Sequence, residues 1–187
     1  MASFVTSKCT SLKGSIKVPG DKSISHRSIM LGSIATGITK VSGFLQGEDS
    51  LATLNSFKEM GVQIDRQGSN VIINGVGMHG LKEPTKPLNL GNSGTSIRLM
   101  SGLLSAQSFD SELCGDESLS KRPMARVIDP LRKMGADISG PDSKPPLKIK
   151  GGKKLSSLKY TLPVASAQIK SCLLLAGLYA DGVTHII

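Results

Sequence analysis

Lys22, Ser23 and Arg27 are the first side chains in this sequence whose types and spacing could do chemistry. They follow Pro19-Gly20, a strong turn signal, and apolar residues at helical spacing come next. The pattern predicts a helix start, with Asp21 and Ser23 as candidate N-caps. Backbone N–H groups at a helix N-terminus favour anions, and the cations and hydroxyl add donors. The sequence predicts a phosphate or carboxylate site; the simpler alternative is solvated charges.

The same spacing recurs, which favours the anion-binding interpretation. Three pairs share it, a small residue followed four positions later by a cation: Ser23 with Arg27, Gly94 with Arg98, and Ser166 with Lys170. Residues four apart lie on one face of a helix. Residues 45–51 also resemble residues 113–119, and each segment leads to a Met-Gly pair. The sequence therefore predicts repeats of about seventy residues, two complete and a third begun.

Composition limits the classes of partner. The 187 residues are 39% hydrophobic, which indicates a globular chain of one domain or part of a larger protein. A net charge of +9 suits acidic partners such as phosphorylated metabolites. There is no Trp, only 2 Tyr and 4 Phe, and the lysines are scattered, so we expect no nucleic-acid partner.

The cysteines and the apolar segments indicate the compartment. Cys9, Cys114 and Cys172 lie far apart with no CxxC pair, which argues against a disulfide framework or a zinc site. Cys172 is expected to be a core residue. The apolar run at residues 172–180 is too short to span a bilayer, and the N-terminal region has no signal-peptide pattern. We expect no membrane association and a cytoplasmic location.

Hydrophobic spacing and turn residues predict the elements that carry these side chains. Helices are expected at residues 48–60 and 119–134, and Pro130 should kink the second or delay its start. Four segments are predicted to form two hairpins: 62–64 with 71–73, and 136–138 with 147–149. Strands are also expected within residues 4–18 and from Gly182 onward. Because the last strand looks just begun, we expect the chain to be part of a longer protein.

Four motifs give the sequence a family resemblance: Lys22-Ser-Ile-Ser-His-Arg27, Gly91-Asn-Ser-Gly-Thr-Ser-Ile-Arg98, Ser120-Lys-Arg-Pro-Met124 with Asp129-Pro-Leu-Arg132, and Ser166-Ala-Gln168. Together they resemble the 5-enolpyruvylshikimate-3-phosphate synthase family, over the whole chain but about the first half of the family's length. The Asn-Ser-Gly-Thr form of the second motif and the Ser-Ala-Gln form of the fourth look more like the glyphosate-tolerant class II type. Below, residues 22–27, 91–98 and 166–168 are called the first, second and third loops.

The resemblance implies an α/β (α+β) inside-out fold built from repeated βαβαββ units. Two full units and the start of a third would be present. Residues 1–18 would form N-terminal strands belonging to a second domain, and residues 19–187 an incomplete first domain. The C-terminal half of the enzyme would be missing.

The resemblance also implies a reaction, the transfer of enolpyruvyl from phosphoenolpyruvate to the 5-hydroxyl of shikimate 3-phosphate. Addition gives a tetrahedral intermediate, and elimination then releases phosphate, a step in aromatic amino acid biosynthesis. The enzyme would be a monomer that needs no metal or organic cofactor. The chain by itself is expected to be inactive.

By position in the motifs, the resemblance implies specific roles. Lys22 would be catalytic and touch both substrates. The remaining residues would bind substrate: Ser23 and Arg27 shikimate 3-phosphate, Asn92 and Gly94 phosphoenolpyruvate, Arg122 its phosphate, Ser166 the shikimate phosphate, and Gln168 both substrates. Many family members have a second serine where Ala167 stands, so that side-chain contact is absent here. Arg98 matches a family arginine and could be structural or a substrate contact.

The described motifs do not supply an acid/base pair. Four carboxylates look like turn or helix-cap residues: Asp21, Asp49, Asp116 and Glu117. His26 is interpreted as a packing or surface residue, and the family's acidic base would lie in the missing part. Two alternatives stay open. One is the sister UDP-N-acetylglucosamine enolpyruvyl transferase, for which Cys114 would be a reactive cysteine, and the other is a non-catalytic anion-binding module.

Overall fold

A computed structural model describes residues 3–187. The helices are α1 (Lys22–Ile34), α2 (Glu48–Glu59), α3 (Gly94–Leu104), α4 (Glu117–Ser120), α5 (Ala125–Lys133) and α6 (Ala167–Gly177). The strands are β1 (Thr36–Val41), β2 (Gln63–Gln67), β3 (Asn70–Val76), β4 (Leu88–Asn89), β5 (Ser111–Cys114), β6 (Asp137–Ser139), β7 (Leu147–Lys150), β8 (Lys159–Tyr160) and β9 (His185–Ile186). None of the helices within residues 3–187 is long and apolar enough to cross a membrane.

Two units of the chain share the same arrangement of three antiparallel strands, and the second unit has one further, parallel strand. In the first, β1 pairs antiparallel with β3, and β3 with β2. In the second, β5 pairs antiparallel with β7, and β7 with β6, while β4 lies parallel to β5. Strand β8 lies parallel to β9 and begins a third unit in the same way. The predicted α/β fold of repeated units is confirmed.

The core lies between the helices and the sheets. Helix α3 is the most buried, with Leu99, Met100, Leu103 and Leu104 at 0% exposure. It packs directly on α6, where a Cβ atom on Gly102 would lie 2.0 Å from the carbonyl oxygen of Cys172. Only glycine permits this approach of the two backbones. Cys172 is fully buried, as expected, and burial raises the pKa of its thiol to about 12.

Most of the predicted elements form near their expected positions. The predictions of helix α2 and of both hairpins are confirmed. Their ends were predictable because turn residues and glycines stand there. The helix expected at residues 119–134 starts late, since a short α4 ends at Ser120 and α5 begins at Ala125. Pro130 lies inside α5, past its first turn.

The strands predicted within residues 4–18 are wrong for this chain. Residues 3–20 contain no strand and none of the described hydrogen bonds involves them, while Phe4 and Ile16 are 98% and 90% exposed. A strand is stable only when its backbone N–H and C=O groups pair, and among the described residues no sheet edge pairs with this segment. The prediction that residues 1–18 belong to a second domain stays a prediction, and its first two residues lie outside the described chain.

Candidate functional site

Helices α1, α3 and α6 each begin with a side-chain cap. Asp21 Oδ1 accepts a hydrogen bond from the N–H of Ile24 (2.7 Å), and Ser93 Oγ accepts one from the N–H of Ser96 (3.1 Å). Ser166 caps α6 in the same manner. Asp21 is therefore the cap of α1, and Ser23, the other candidate, is instead the second residue of the helix.

The three caps correct the register of the predicted repeat. The caps stand at positions 21, 93 and 166, whereas the pairs of small residue and cation begin at 23, 94 and 166. Measured from the cap of its own helix, each cation stands one residue earlier than in the preceding repeat. One residue corresponds to a rotation of about 100° around the helix axis, so the three cations do not point in equivalent directions. Arg27 and Arg98 are partly buried, while Lys170 is exposed.

The cations of the first two loops connect both loops to α6. Arg27 donates from Nη2 to Ser171 Oγ (2.9 Å) and from Nη1 to the carbonyl of Ser23 (3.1 Å). Arg98 donates from Nη1 to Gln168 Oε1 (3.0 Å), and Gln168 donates from Nε2 to Thr95 Oγ1 (3.0 Å). These bonds hold the N-terminal ends of α1, α3 and α6 together on one face of the molecule.

The second loop brings two guanidinium groups onto one glycine. A Cβ atom on Gly94 would lie 2.7 Å from Nη1 of Arg122 and 2.7 Å from Nη1 of Arg98. Arg122 also donates to the side-chain oxygen of Asn92, whose amide donates to Asp116 Oδ2 (2.8 Å). The loop is thus a concentration of positive charge at a helix N-terminus, as an anion site requires.

Two pKa shifts describe the electrostatics of this loop. Burial, together with the positive charges of Arg122 and Arg126, lowers the pKa of Arg98. Hydrogen bonds from the backbone N–H of Leu119 and from Asn92 lower the pKa of Asp116. The like charges repel each other, and an anion seated between them would relieve that repulsion.

In the first loop, Lys22 is neutralised within the chain, whereas Arg27 has no carboxylate partner among the described ion pairs. Lys22 forms an ion pair with Asp49, which lies in the first turn of α2; the two side chains are 50% and 21% exposed. The interpretation of Asp49 as only a turn or cap residue is therefore incomplete. Ser23 shares the exposed start of α1 with Lys22, and no described hydrogen bond links either side chain to the second or third loop.

His26 is fully buried, which confirms the packing alternative. Burial lowers the pKa of its imidazole to about 4, although the nearby Asp49 carboxylate opposes the shift. Its ring nitrogen Nδ1 contacts Thr53 Oγ1 at 2.8 Å. The imidazole is therefore neutral at ordinary pH.

Several residues that the sequence predicts for the site are in contact in the structure, and they are held by residues that the sequence analysis did not assign to it. Asn92, Gly94 and Arg122 are mutually in contact, as are Arg98 and Gln168. The residues that hold the predicted ones were not assigned to the site: Thr95, Ser171, Asp116 and Asp49. Thr95 lies within the second loop and Ser171 follows Lys170, whereas Asp116 and Asp49 were interpreted only as turn or helix-cap residues. Asp116 does cap α4, and it also holds Asn92. Within residues 3–187, no cluster of three or more His, Cys, Asp or Glu could hold a metal ion.

Comparisons with known proteins agree with these motifs. The family model of EPSP synthase (3-phosphoshikimate 1-carboxyvinyltransferase) matches residues 6–187. The 3-phosphoshikimate 1-carboxyvinyltransferase of Ruthia magnifica subsp. Calyptogena magnifica is 67% identical over 186 residues, and that of Legionella pneumophila (strain Corby) is 58% identical over 187. Each alignment covers 100% of this chain and 43% of the relative.

A solved structure gives the same result at the level of fold. EPSP synthase from Acinetobacter baumannii superposes with a TM-score of 0.90 and 59% sequence identity. The superposition covers 92% of this chain and 40% of the solved one. The chain thus spans less than half the length of the relatives it matches.

Proposed function

Because the chain belongs to the EPSP synthase family, we propose that it supplies half of the active site of a 3-phosphoshikimate 1-carboxyvinyltransferase. The full-length polypeptide that contains it transfers enolpyruvyl from phosphoenolpyruvate to the 5-hydroxyl of shikimate 3-phosphate. The hydroxyl loses its proton as its oxygen adds to the enol carbon, and the methylene carbon gains a proton. Loss of a methyl proton and of phosphate then restores the double bond.

The convergence of Arg98 and Arg122 on Gly94 carries this proposal. Both substrates are polyanions, and two guanidinium groups with a helix N-terminus form a site for one phosphate or carboxylate. Asn92 and Gly94 line this site, and Arg122 binds the phosphate of phosphoenolpyruvate. The donors are fixed by Gln168 and Asn92 before any substrate arrives, so little reorganisation is needed.

The other two loops take the second substrate. Ser23 and Arg27 bind shikimate 3-phosphate, and Ser166 binds its phosphate group. Gln168 contacts both substrates from the start of α6. The bond between Arg27 and Ser171 supports this arrangement, because it joins α1 to α6 beside these side chains.

Lys22 is the catalytic residue of this half. Its ammonium exchanges Asp49 for the substrates and stabilises the charge that develops as phosphate leaves. The proton transfers need an acid/base pair, which we assign to the rest of the full-length polypeptide. For this reason the 187-residue chain is inactive when isolated.

The remaining parts of the proposal concern the setting of the chain. Residues 1–18 join a second domain formed by the rest of the polypeptide, and residues 19–187 form an incomplete first domain. The enzyme is a cytoplasmic monomer of the class II-like type, with no nucleic-acid partner and no metal or organic cofactor. The scattered lysines and the net charge of +9 suit small anionic substrates.

The sister UDP-N-acetylglucosamine enolpyruvyl transferase is not favoured. That enzyme typically has asparagine where Ser23 stands, and it needs a reactive cysteine in a loop. Cys114 is the last residue of β5 and is half-buried, and burial raises the pKa of its thiol. A reactive thiol requires the opposite shift.

Phosphate release by the full-length polypeptide tests the proposal. We expect turnover with phosphoenolpyruvate and shikimate 3-phosphate, and none when a UDP-amino sugar replaces the latter. Lys22→Ala should abolish most turnover, whereas Lys58→Ala, at an exposed position of α2 outside the loops, should leave it unchanged. Absence of turnover in the wild-type protein, or near-normal turnover in Lys22→Ala, would contradict the proposal.

A further inference from the structure

A chain of buried side-chain hydrogen bonds runs between the first and second loops. His26 Nδ1 lies 2.8 Å from Thr53 Oγ1, which lies 2.6 Å from Ser96 Oγ, which in turn lies 2.6 Å from Ser93 Oγ. All four residues are at 0% exposure. They belong to α1, α2 and the cap and first turn of α3, so the chain of bonds joins three helices.

We infer that His26 is a positioning residue that fixes the first and second loops relative to each other through Thr53 and Ser96. The inference rests on the proposed function, because the two loops bind the two substrates there. Thr53 is also one helical turn after Asp49, the partner of Lys22. Thr53 therefore positions both the ion pair between Lys22 and Asp49 and the first turn of α3.

The direction of each hydrogen bond in this buried network follows from its last member, Ser93. Ser93 Oγ accepts the N–H of Ser96 as the cap of α3, and it also accepts the hydroxyl proton of Ser96. Thr53 Oγ1 lies 2.6 Å from Ser96 Oγ and 3.3 Å from the carbonyl oxygen of Asp49. Because the hydroxyl proton of Ser96 is already donated to Ser93, the shorter contact takes the hydroxyl proton of Thr53, and Thr53 accepts from Nδ1–H of His26. The imidazole is thus the Nδ1–H tautomer, and its Nε2 has no partner among the described residues.

The surroundings of His26 keep this order intact. The charged groups that face it are Asp49 on α2 and Lys22 and Arg27 on its own helix. Protonation would add an N–H at Nε2 with no acceptor, in a fully buried position. The neutral ring is therefore the one form that completes the chain without an unpaired donor.

Kinetics of the full-length polypeptide test the inference. Thr53→Val keeps the side-chain shape but breaks the chain, and we expect the KM values of both substrates to rise by about fivefold. Thr53→Ser restores the hydroxyl and should restore both KM values. Ser33→Ala removes a buried, unpartnered hydroxyl from α1 and is the matched control that leaves them unchanged.

A spectroscopic measurement gives the second readout. In a ¹H–¹⁵N NMR spectrum that correlates imidazole nitrogens with carbon-bound protons, His26 should show the Nδ1–H tautomer alone. In Thr53→Val, the ring should instead show a mixture of the two tautomers. An Nε2–H tautomer in the wild type, or unchanged KM values in Thr53→Val, would overturn the inference. A wild-type protein without turnover would instead overturn the proposed function, so the two failures are distinguishable.

Discussion

The first and second loops are both cationic helix starts, but their charges are handled differently. In the first loop, Lys22 is half exposed and already paired with Asp49 on a neighbouring helix. In the second loop, Arg98 and Arg122 converge on Gly94, and Asn92 stands between Arg122 and the Asp116 carboxylate. In the proposed mechanism, the second loop is thus prepared for an anion before it arrives, whereas Lys22 of the first loop must exchange one partner for another.

The largest expected effect comes from removing a charge of the second loop. Arg122→Ala should lower kcat/KM for phosphoenolpyruvate by about a thousandfold, because a charge-assisted contact to a buried anion is lost. Shikimate 3-phosphate, which we propose binds at the first loop, should keep its affinity within about twofold. Steady-state kinetics and calorimetry measure the two quantities.

The control for this variant is Lys121→Ala, which removes the adjacent exposed cation that pairs with Glu117. It should behave as the wild type does. A comparable loss of affinity for both substrates in Arg122→Ala would show that the two loops are not separate, and the comparison would fail.

The next effect concerns pH, because the first loop contains a buried histidine and the second loop contains no titratable group of this kind. The pKa of His26 is about 4 in the folded protein and 6.5 in an unfolded chain. Between these values the unfolded state binds the extra proton, so stability is lost as pH falls from about 6.5 to 4. The free energy of unfolding should decrease by up to about 3 kcal/mol over this window.

Chemical denaturation of the wild type and of His26→Asn at several pH values checks this expectation. The variant should lose this part of the pH dependence, while Ser33→Ala in the same helix should retain it. Equal slopes in wild type and His26→Asn would contradict the assignment of the titration to His26.

A smaller effect is expected from Gly94→Ala, which probes how tightly the second loop is built. The new Cβ atom would meet the ends of two arginine side chains, and these can shift at modest cost. We expect KM for phosphoenolpyruvate to rise by about tenfold, with the KM for shikimate 3-phosphate unchanged. Gly47→Ala is the control, because its nearest neighbour would be a leucine side chain at 3.9 Å.

The smallest effect sharpens the description of the first loop. Asp49→Asn removes the carboxylate that pairs with Lys22 and with which, in the proposed mechanism, the substrates compete. Shikimate 3-phosphate should bind about two- to fivefold more tightly, since an exposed ion pair contributes only about 0.2–1 kcal/mol. Weaker binding, measured by calorimetry, would mean that Asp49 orients Lys22 rather than occupying it.

Local signals in the sequence predicted the parts of the structure that depend on local chemistry. Asp21 caps α1 because a carboxylate before an apolar run satisfies a free N–H, and the hairpin between β2 and β3 follows from Gly68. The prediction of strands within residues 4–18 was wrong because the sequence of this segment does not show whether another strand is available to pair with it. A pattern of apolar residues predicts an extended conformation, but it does not predict a neighbour.

The contacts that assemble the site were beyond sequence reasoning for the same reason. Arg98 and Gln168 are 70 residues apart, and Arg27 and Ser171 are 144 apart. The two arginines were predictable as members of a cationic cluster. Their pairing with Gln168 and Ser171 depends on how α6 packs against α1 and α3. The one-residue slips between the caps and the cations likewise appear only in three dimensions.

The close approach of Gly102 to Cys172 makes one thiol a built-in reporter of helix separation. Cys9 is exposed and open to alkylating reagents, whereas Cys172 is buried beneath the backbone of α3 with a pKa of about 12. Its modification requires α6 to move away from α3. The rate at which a small reagent labels Cys172 therefore measures how often the two helices separate in the native protein, with no probe introduced.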